Sequence, residues 1–368
     1  MINKIEIEGF KCFSSNTVIP MSQITICAGM NSVGKSTLVQ ALLLIGDSYE
    51  QYENMLARPE DSDCRSVLLN TPKLSLGSTH QIMPTSTMRI RADDSLFEYE
   101  AALHGLSLYM TDTTKVNGSL FECMPYYLNA ERLGPRNYQE MQSPNDLHCG
   151  YHGENTFYVI QRDIYAEVPR PRCFKSESDN VTSADQLIHQ INNWMGYIVN
   201  GVDVNFSSNI DTQLAHMQVR QPDMDTPFSS PHNFGFGISY VLPIITTGLI
   251  AKEGSIFIIE NPEAHLHPAG QSRIGEFLAQ ISCDNVQVVI ETHSEHVLNG
   301  IRKYALKHQL DPEKICINFF SIDGEPKKHS VNRLPLNKKI DILDWPPGFF
   351  DQEMNDMKEL RLLRGSLR

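Results

Sequence analysis

Gly29-Met-Asn-Ser-Val-Gly34-Lys35-Ser36-Thr37 fits the pattern G-x-x-x-x-G-K-[ST], a loop that holds phosphate groups. Its glycines let the backbone approach an anion without a Cβ in the way. The N–H groups of Asn31, Ser32, Gly34 and their neighbours would converge on phosphate oxygens. Lys35 would reach the β and γ phosphates, Ser36 would offer its hydroxyl to Mg²⁺, and Thr37 follows in the first helical turn. About 220 residues later Ser255-Ile-Phe-Ile-Ile-Glu260 supplies a carboxylate at the end of an apolar run, where a Mg²⁺ ligand belongs. Glu263 lies three positions on, and Val286 to Ile290 leads into Glu291-Thr292-His293-Ser294, which puts the His293 imidazole at the same edge and within reach of a γ phosphate.

These groups need strands and helices to bring them together. Ile5 and Ile7 alternate with charged residues, and Ile24 and Ile26 alternate with Thr25 and Cys27, so both segments read as half-buried strands. Leu38, Ala41, Leu42 and Ile45 fall at helical spacing, and the helix after the loop is expected to end near Gly46. Helices are also predicted over residues 269–281 and 294–307, and a strand at an outer edge over 315–322. Strands alternating with helices imply a mainly parallel α/β sheet. A second glycine-bearing segment, Phe234-Gly235-Phe236-Gly237-Ile238-Ser239, opens a further helix. It reads either as an anion-binding helix start, with a neighbouring subunit's phosphate as one candidate ligand, or as an N-terminal turn with mobile glycines.

The order of these motifs, with Glu260-Asn-Pro-Glu-Ala-His-Leu-His-Pro268 between them and Ile5-Glu-Ile-Glu-Gly-Phe-Lys-Cys-Phe13 ahead of them, resembles the ABC-type ATPase heads of the SMC, RecF and overcoming-lysogenization-defect group. The resemblance covers residues 1–45 and 230–305 well. It implies a P-loop head that binds ATP and Mg²⁺ and docks head to tail with a second copy, each phosphate loop facing the partner's signature helix. By position, Ser36 and Glu260 take the metal, Glu260 has the Walker B role and His293 the switch-histidine role. Gly235, Gly237 and Ser239 would contact the opposite ATP. Two departures stand out. Phe236 separates the signature glycines, and Asn261 occupies the place of the glutamate that usually polarises water. An amide orients water but accepts no proton, so Glu263 becomes the candidate substitute and hydrolysis is expected to be slow. Glu131-Arg132-Leu-Gly134-Pro-Arg136 is similar to an arginine-bearing element of these ATPases, its arginines either reaching phosphate or pairing with surface carboxylates; Arg136 is assigned to the surface.

The expected architecture is α/β: an ABC-ATPase-like P-loop head with an N-terminal antiparallel β lobe and a compact inserted lobe. Residues 1–50 carry the first part of the head, 51–230 the α+β insertion, 231–322 the second part of the head, and 323–368 a C-terminal extension. The insertion lacks sustained heptads, which argues for a lobe and against a coiled-coil arm. Within it Leu187, Ile188, Ile191, Trp194 and Met195 form one apolar helical stripe, read as core, and residues 221–231 form a linker rich in turn formers. The extension contains Trp345-Pro-Pro-Gly-Phe-Phe-Asp351, whose prolines preclude an ordinary helix and whose aromatics suggest docking onto the head or a partner.

The chain has 368 residues, 41% of them hydrophobic, and a formal net charge of −13, which disfavours non-specific nucleic-acid binding over the whole surface while leaving room for a local basic groove. Lys358, Arg361, Arg364 and Arg368 form either such a patch or a solvated helical tail. The N-terminus has no signal-peptide pattern and no apolar run approaches a membrane span, so a cytoplasmic location without membrane contact is expected. The eight cysteines (Cys12, Cys27, Cys64, Cys123, Cys149, Cys173, Cys283, Cys316) contain no C-x-x-C pair and read as reduced thiols. His265 and His267 are assigned to the ATPase motif rather than to a metal site.

These readings lead to an ATP-dependent switch working as a homodimer or a higher even oligomer. The alternatives are a non-hydrolysing ATP-bound scaffold, favoured by Asn261, and the nucleotide-binding subunit of a membrane transporter, disfavoured by the N-terminal strand pattern and the His-Leu-His-Pro sequence. The resemblance implies a setting in anti-phage defence or DNA repair. About 75 residues follow His293, too few for a Toprim nuclease plus a tail, so a separate effector such as a nuclease is expected, with DNA as a further ligand.

Overall fold

The computed structural model describes residues 1–57, 65–112, 115–116, 120–121, 123–141, 148–175, 185–324 and 327–366. Cys64 and Arg368 lie outside the described residues. The chain opens with β1 (Lys4–Glu8), β2 (Thr17–Pro20) and β3 (Ile24–Gly29), then α1 (Lys35–Ala57), β4 (Ser66–Leu68) and the short α2 (Thr79–Ile82). β5 (Thr87–Ala92), β6 (Ser95–Ala101), β7 (Ser107–Asp112), β8 (Tyr126–Leu128), β9 (Tyr138–Glu140), α3 (Thr156–Arg162), α4 (Leu187–Val199), β10 (Asp203–Asn209) and β11 (Leu214–Arg220) follow. The second half runs α5 (Phe236–Ile250), β12 (Ile256–Glu260), α6 (Pro268–Ser282), β13 (Gln287–Glu291), α7 (Glu295–Lys307), β14 (Ile315–Asp323), β15 (Lys328–Leu334) and α8 (Gln352–Ser366).

The central sheet has the order β15-β14-β3-β13-β12-β8, with every pair parallel except the β14–β15 hairpin. A second six-stranded sheet, β2-β1-β5-β6-β7-β4, is antiparallel and forms the N-terminal β lobe. Parallel strands covered on both faces read as continuous apolar runs, and β3, β12 and β13 do so. Their side chains alternate between two cores. Ile24, Ile26, Phe257, Ile259, Val288 and Ile290 enter the core that includes α4, α5, α6 and α7. Cys27, Ile256, Ile258 and Val289 face the other way, into the core built on α1 and the β lobe.

The segment 51–230 is distributed over three places. β4 to β7 complete the N-terminal lobe, β8 extends the central sheet beside β12, and α3 and α4 pack beside a three-stranded sheet of order β10-β11-β9. The stripe of α4 is core as read, with Leu187, Ile191, Trp194 and Met195 buried. Two expectations are corrected. The first helix does not end near Gly46 but continues to Ala57, because the surrounding turns bury Leu44, Ile45 and Tyr49. Nor is β14 an edge strand: β15 pairs along it from Ile317 to Asp323 and leaves its first six residues buried. In the extension, Phe349 is buried against Phe319, which docks the aromatic segment onto the head, whereas α8 is exposed and presents Met354, Met357, Leu360 and Leu362. No disulfide joins the described cysteines, and no described helix is long and apolar enough to cross a membrane.

One buried cation ties the layers together. Arg172, 1% exposed, pairs with Asp284 at 2.7 Å and donates to the carbonyls of Gly248, Leu249 and Ala251 at the end of α5, while its own carbonyl accepts from the Trp194 indole. Removing one partner of a buried pair leaves the other polar groups uncompensated. Arg172→Met is therefore expected to lower stability by about 3 kcal/mol in urea unfolding, and a loss under about 1 kcal/mol would contradict the role given to this side chain.

Candidate nucleotide-binding site

The phosphate loop leaves the carboxyl end of β3 and feeds directly into α1, which begins at Lys35. Both glycines of the pattern are required by geometry. Gly29 has φ 141° and a Cβ there would lie 2.3 Å from the Phe320 carbonyl oxygen; Gly34 has φ 112° and its Cβ would meet Cys12 and Phe13 at 2.9 Å. Lys35 is folded back, donating from Nζ to the carbonyls of Gly29 (3.0 Å) and Met30 (2.6 Å). Burial pushes its pKa down, with Glu291 and Cys27 acting in the opposite sense. Asn31, Ser32, Gly34, Lys35, Ser36 and Thr37 line one open cleft of about 340 Å³, together with His293.

The carboxylates follow from strand parity. Glu260 continues the Ile256–Ile258 row of β12 and Glu291 continues the Val289 row of β13, so both face the α1 side. The strands are in register at this level, Glu260 beside Glu291 and Glu291 beside Cys27. Glu291 is therefore the carboxylate next to the loop: its Oε1 accepts from the Ser36 hydroxyl at 3.0 Å. Its other oxygen, Oε2, is buried without a hydrogen-bond partner. Burial, with the neighbouring Glu260 charge second, raises the Glu291 pKa to about 7. Glu260 stands one strand farther away, with Oε1 accepting from the Tyr127 hydroxyl at 3.0 Å, and burial raises its pKa as well. Sequence reading assigns the metal to Ser36 and Glu260 and gives Glu291 no role; the parity of Glu291 with Val289 is the signal that puts it on the loop side of the sheet.

Glu263 does not lie free in the cleft. Its Oε2 accepts from the Thr292 hydroxyl at 2.7 Å and its Oε1 from the His293 N–H at 2.8 Å, joining the loop after β12 to the loop after β13. His293 is exposed at the cleft, and partial desolvation of its ring, followed by the nearby Lys35 charge, holds its pKa below the usual histidine value. Asn261 takes a left-handed φ of 44°, its N–H donates to the Glu291 carbonyl, and its Oδ1 is buried and unpaired.

Arg132 departs from both sequence-based alternatives, since it touches neither solvent nor the phosphate cleft. It is 2% exposed, and its guanidinium donates to the carbonyls of Asn129 (2.7 Å), Glu260 (2.7 Å) and Asn261 (2.6 Å), clamping the end of β12. Burial lowers its pKa to about 10. Arg136 is exposed, as assigned.

Arg132 also lies over the Tyr240 ring at 5.4 Å, and Tyr240 and Phe236 both pack on His265. This packs the segment 234–239 against the same strand end. Gly235 is the open N-cap of α5, where a Cβ would meet nothing within 4 Å, and Phe236 projects at 52% exposure. Gly237 packs beneath the His265 carbonyl, 2.9 Å from where a Cβ would sit, and the Ser239 hydroxyl is buried without a partner rather than presented outward. The phosphate-loop residues and His293 thus share one cleft, while Gly235, Gly237 and Ser239 belong to a different surface of the molecule.

A family model described as an AAA ATPase domain matches residues 1–107 and 168–298, more than half of the chain. A second model, described as a protein of unknown function (DUF3696), matches residues 310–360, which comprise β14, β15 and most of the extension. No curated protein matches. Among solved structures, an Smc head bound to the C-terminal winged-helix domain of ScpA is similar at 14% identity and TM-score 0.54, covering 92% of this chain and 98% of that one. The Smc head domain with an extended coiled coil, bound to the C-terminal domain of ScpA and derived from Pyrococcus furiosus, is similar at 11% identity and TM-score 0.51, covering 98% and 99%. At such identities the likeness establishes the α/β head fold.

The raised Glu291 pKa makes a prediction for the nucleotide-free protein in EDTA. A carboxyl with a folded pKa of about 7 binds more protons folded than unfolded, so its ionisation opposes folding progressively from its ordinary value of 4.5 up to about 7. Glu291→Gln is expected to match the native chain near pH 4.5 and to exceed it by up to about 3 kcal/mol near pH 8 in unfolding measurements. An equal stability difference at both pH values would contradict the assignment.

Proposed function

Because the chain belongs to the AAA ATPase domain family, we propose that it is a cytoplasmic nucleotide switch in which ATP binding closes two copies head to tail and slow hydrolysis reopens them. Asn31, Ser32, Gly34, Lys35 and Thr37 hold the phosphates; Ser36 and the carboxylates that close β12 and β13, Glu260 and Glu291, serve the Mg²⁺. His293 contacts the γ phosphate, and Glu263 fixes the loop that orients the attacking water. Gly235 of the second copy, at the open start of the helix that carries Gly237 and Ser239 on its inner side, would complete each site, and higher even assemblies would be built from that dimer. The observation that carries this reading is the single cleft uniting Lys35, Ser36 and His293 at the carboxyl ends of β3 and β13. Open, helix-starting Gly235 on a separate face supports the second half of the sandwich.

A switch of this kind acts on something else. A separate effector protein such as a nuclease, or DNA, is the first candidate to examine, with anti-phage defence or DNA repair as the setting. In the solved relatives, the Smc head carries a winged-helix domain of ScpA. A second reading, an ATP-bound scaffold without turnover, is favoured by one specific arrangement: both Glu263 oxygens accept internal hydrogen bonds and the Asn261 amide oxygen is buried.

ATP hydrolysis measured against protein concentration separates these readings. The switch predicts specific activity that rises with concentration, vanishes in Lys35→Ala and falls by about a hundredfold in Glu263→Gln. Lys35-dependent ATP binding with no turnover at any concentration favours the scaffold. Turnover of roughly tens per second, or activity that is independent of concentration and survives Lys35→Ala, contradicts the proposal.

A further inference from the structure

Mg²⁺ bound with a nucleotide characteristically takes one or two protein carboxylates along with phosphate oxygens and water, all hard oxygen donors. The oxygen atoms that fit such an ion here are the Ser36 hydroxyl and the Oε2 of Glu291. That oxygen is on a residue 6% exposed, lacks any hydrogen-bond partner, and belongs to a side chain that lines the cleft with Lys35 and Ser36. Glu260 is not among the residues lining the cleft, and one of its oxygens accepts from Tyr127. A buried, unpaired carboxylate oxygen is costly unless a cation or donor compensates it.

We propose that Glu291, at the end of β13, is the carboxylate that holds the nucleotide-bound Mg²⁺ together with Ser36, and that Glu260 is a positioning residue one strand removed. This deepens the ATP-binding reading above and rests on it. The Ser36–Glu291 hydrogen bond is then the resting contact of two groups that turn to a common ion when nucleotide arrives. β12 and β13 divide the work accordingly. The end of β12, clamped by Arg132 and bonded to Tyr127, fixes the backbone and a second negative charge, and the end of β13 supplies the ligand.

Mn²⁺ can stand in for Mg²⁺ and be followed by electron paramagnetic resonance, a readout independent of turnover. Binding of a fluorescent ADP in EDTA, native against Lys35→Ala, first tests the parent reading; loss of binding in both proteins is failure of that reading alone. With ADP at saturation, Glu291→Gln is expected to weaken Mn²⁺ binding by roughly tenfold or more while leaving metal-free ADP affinity within about twofold, since Lys35 is untouched. Glu260→Gln is expected to produce a smaller loss. Unchanged Mn²⁺ affinity in Glu291→Gln, or a larger loss in Glu260→Gln, overturns the proposal. Should Glu291→Gln fail to fold, Glu291→Asp keeps the charge and shortens the reach: weaker Mn²⁺ binding at constant ADP affinity supports the assignment, and native Mn²⁺ affinity overturns it.

Discussion

Two carboxylates on adjacent parallel strands, Glu260 and Glu291, project from the same face of the sheet in direct register, and much of the site is arranged around that pair. Lys35 is near enough to favour the ionised form of Glu291, Ser36 donates to it, and Tyr127 donates to Glu260. None of these neutralises the pair, because Lys35 is itself desolvated and bound to loop carbonyls. A site built this way favours a ligand that brings a divalent cation and removes the competition for Lys35, and a metal-bound triphosphate does both.

The same strand end is held from behind. Arg132 grips the carbonyls of Glu260 and Asn261, lies over Tyr240 of α5, and through Tyr240 and His265 reaches Phe236. Glu263 fastens the β12 loop to the His293 loop. The nucleotide cleft and the surface around Gly235 are thus joined by packed side chains and hydrogen bonds, without a flexible linker between them.

Much of this is legible in the chain. The phosphate loop, the apolar runs ending in Glu260 and Glu291, and the helices after them follow from local pattern, since parallel strands buried on both faces and helices with an apolar stripe leave clear periodicities. Long-range consequences are harder to read. The place of Glu291 beside Ser36 depends on the strand order β3-β13-β12, which no local pattern encodes. Arg132 reads as a surface or phosphate-binding arginine because its three carbonyl partners belong to segments up to 129 positions away. Arg172 escapes notice for the same reason, with partners in α5 and beyond α6. Gly46 misleads because a glycine in a helix usually marks weakness, yet the residues on either side of it are buried and carry the helix on. Ser239 is assigned outward from its position in a motif, whereas helix phase turns its hydroxyl inward.

The central proposal is that each active unit would be composite, with Lys35 from one copy and Gly235 from another. Gly235 has open space for a side chain, so Gly235→Glu is tolerated by the fold while placing a negative charge where the partner's phosphate would sit. Mixing Lys35→Ala with Gly235→Glu tests the claim most directly, through ATP-dependent association followed by sedimentation. Each variant alone is predicted to stay monomeric with ATP, and the mixture to form heterodimers that retain one intact site. Dimerisation of Gly235→Glu alone, or no association in the mixture while the native chain dimerises, would contradict the head-to-tail arrangement.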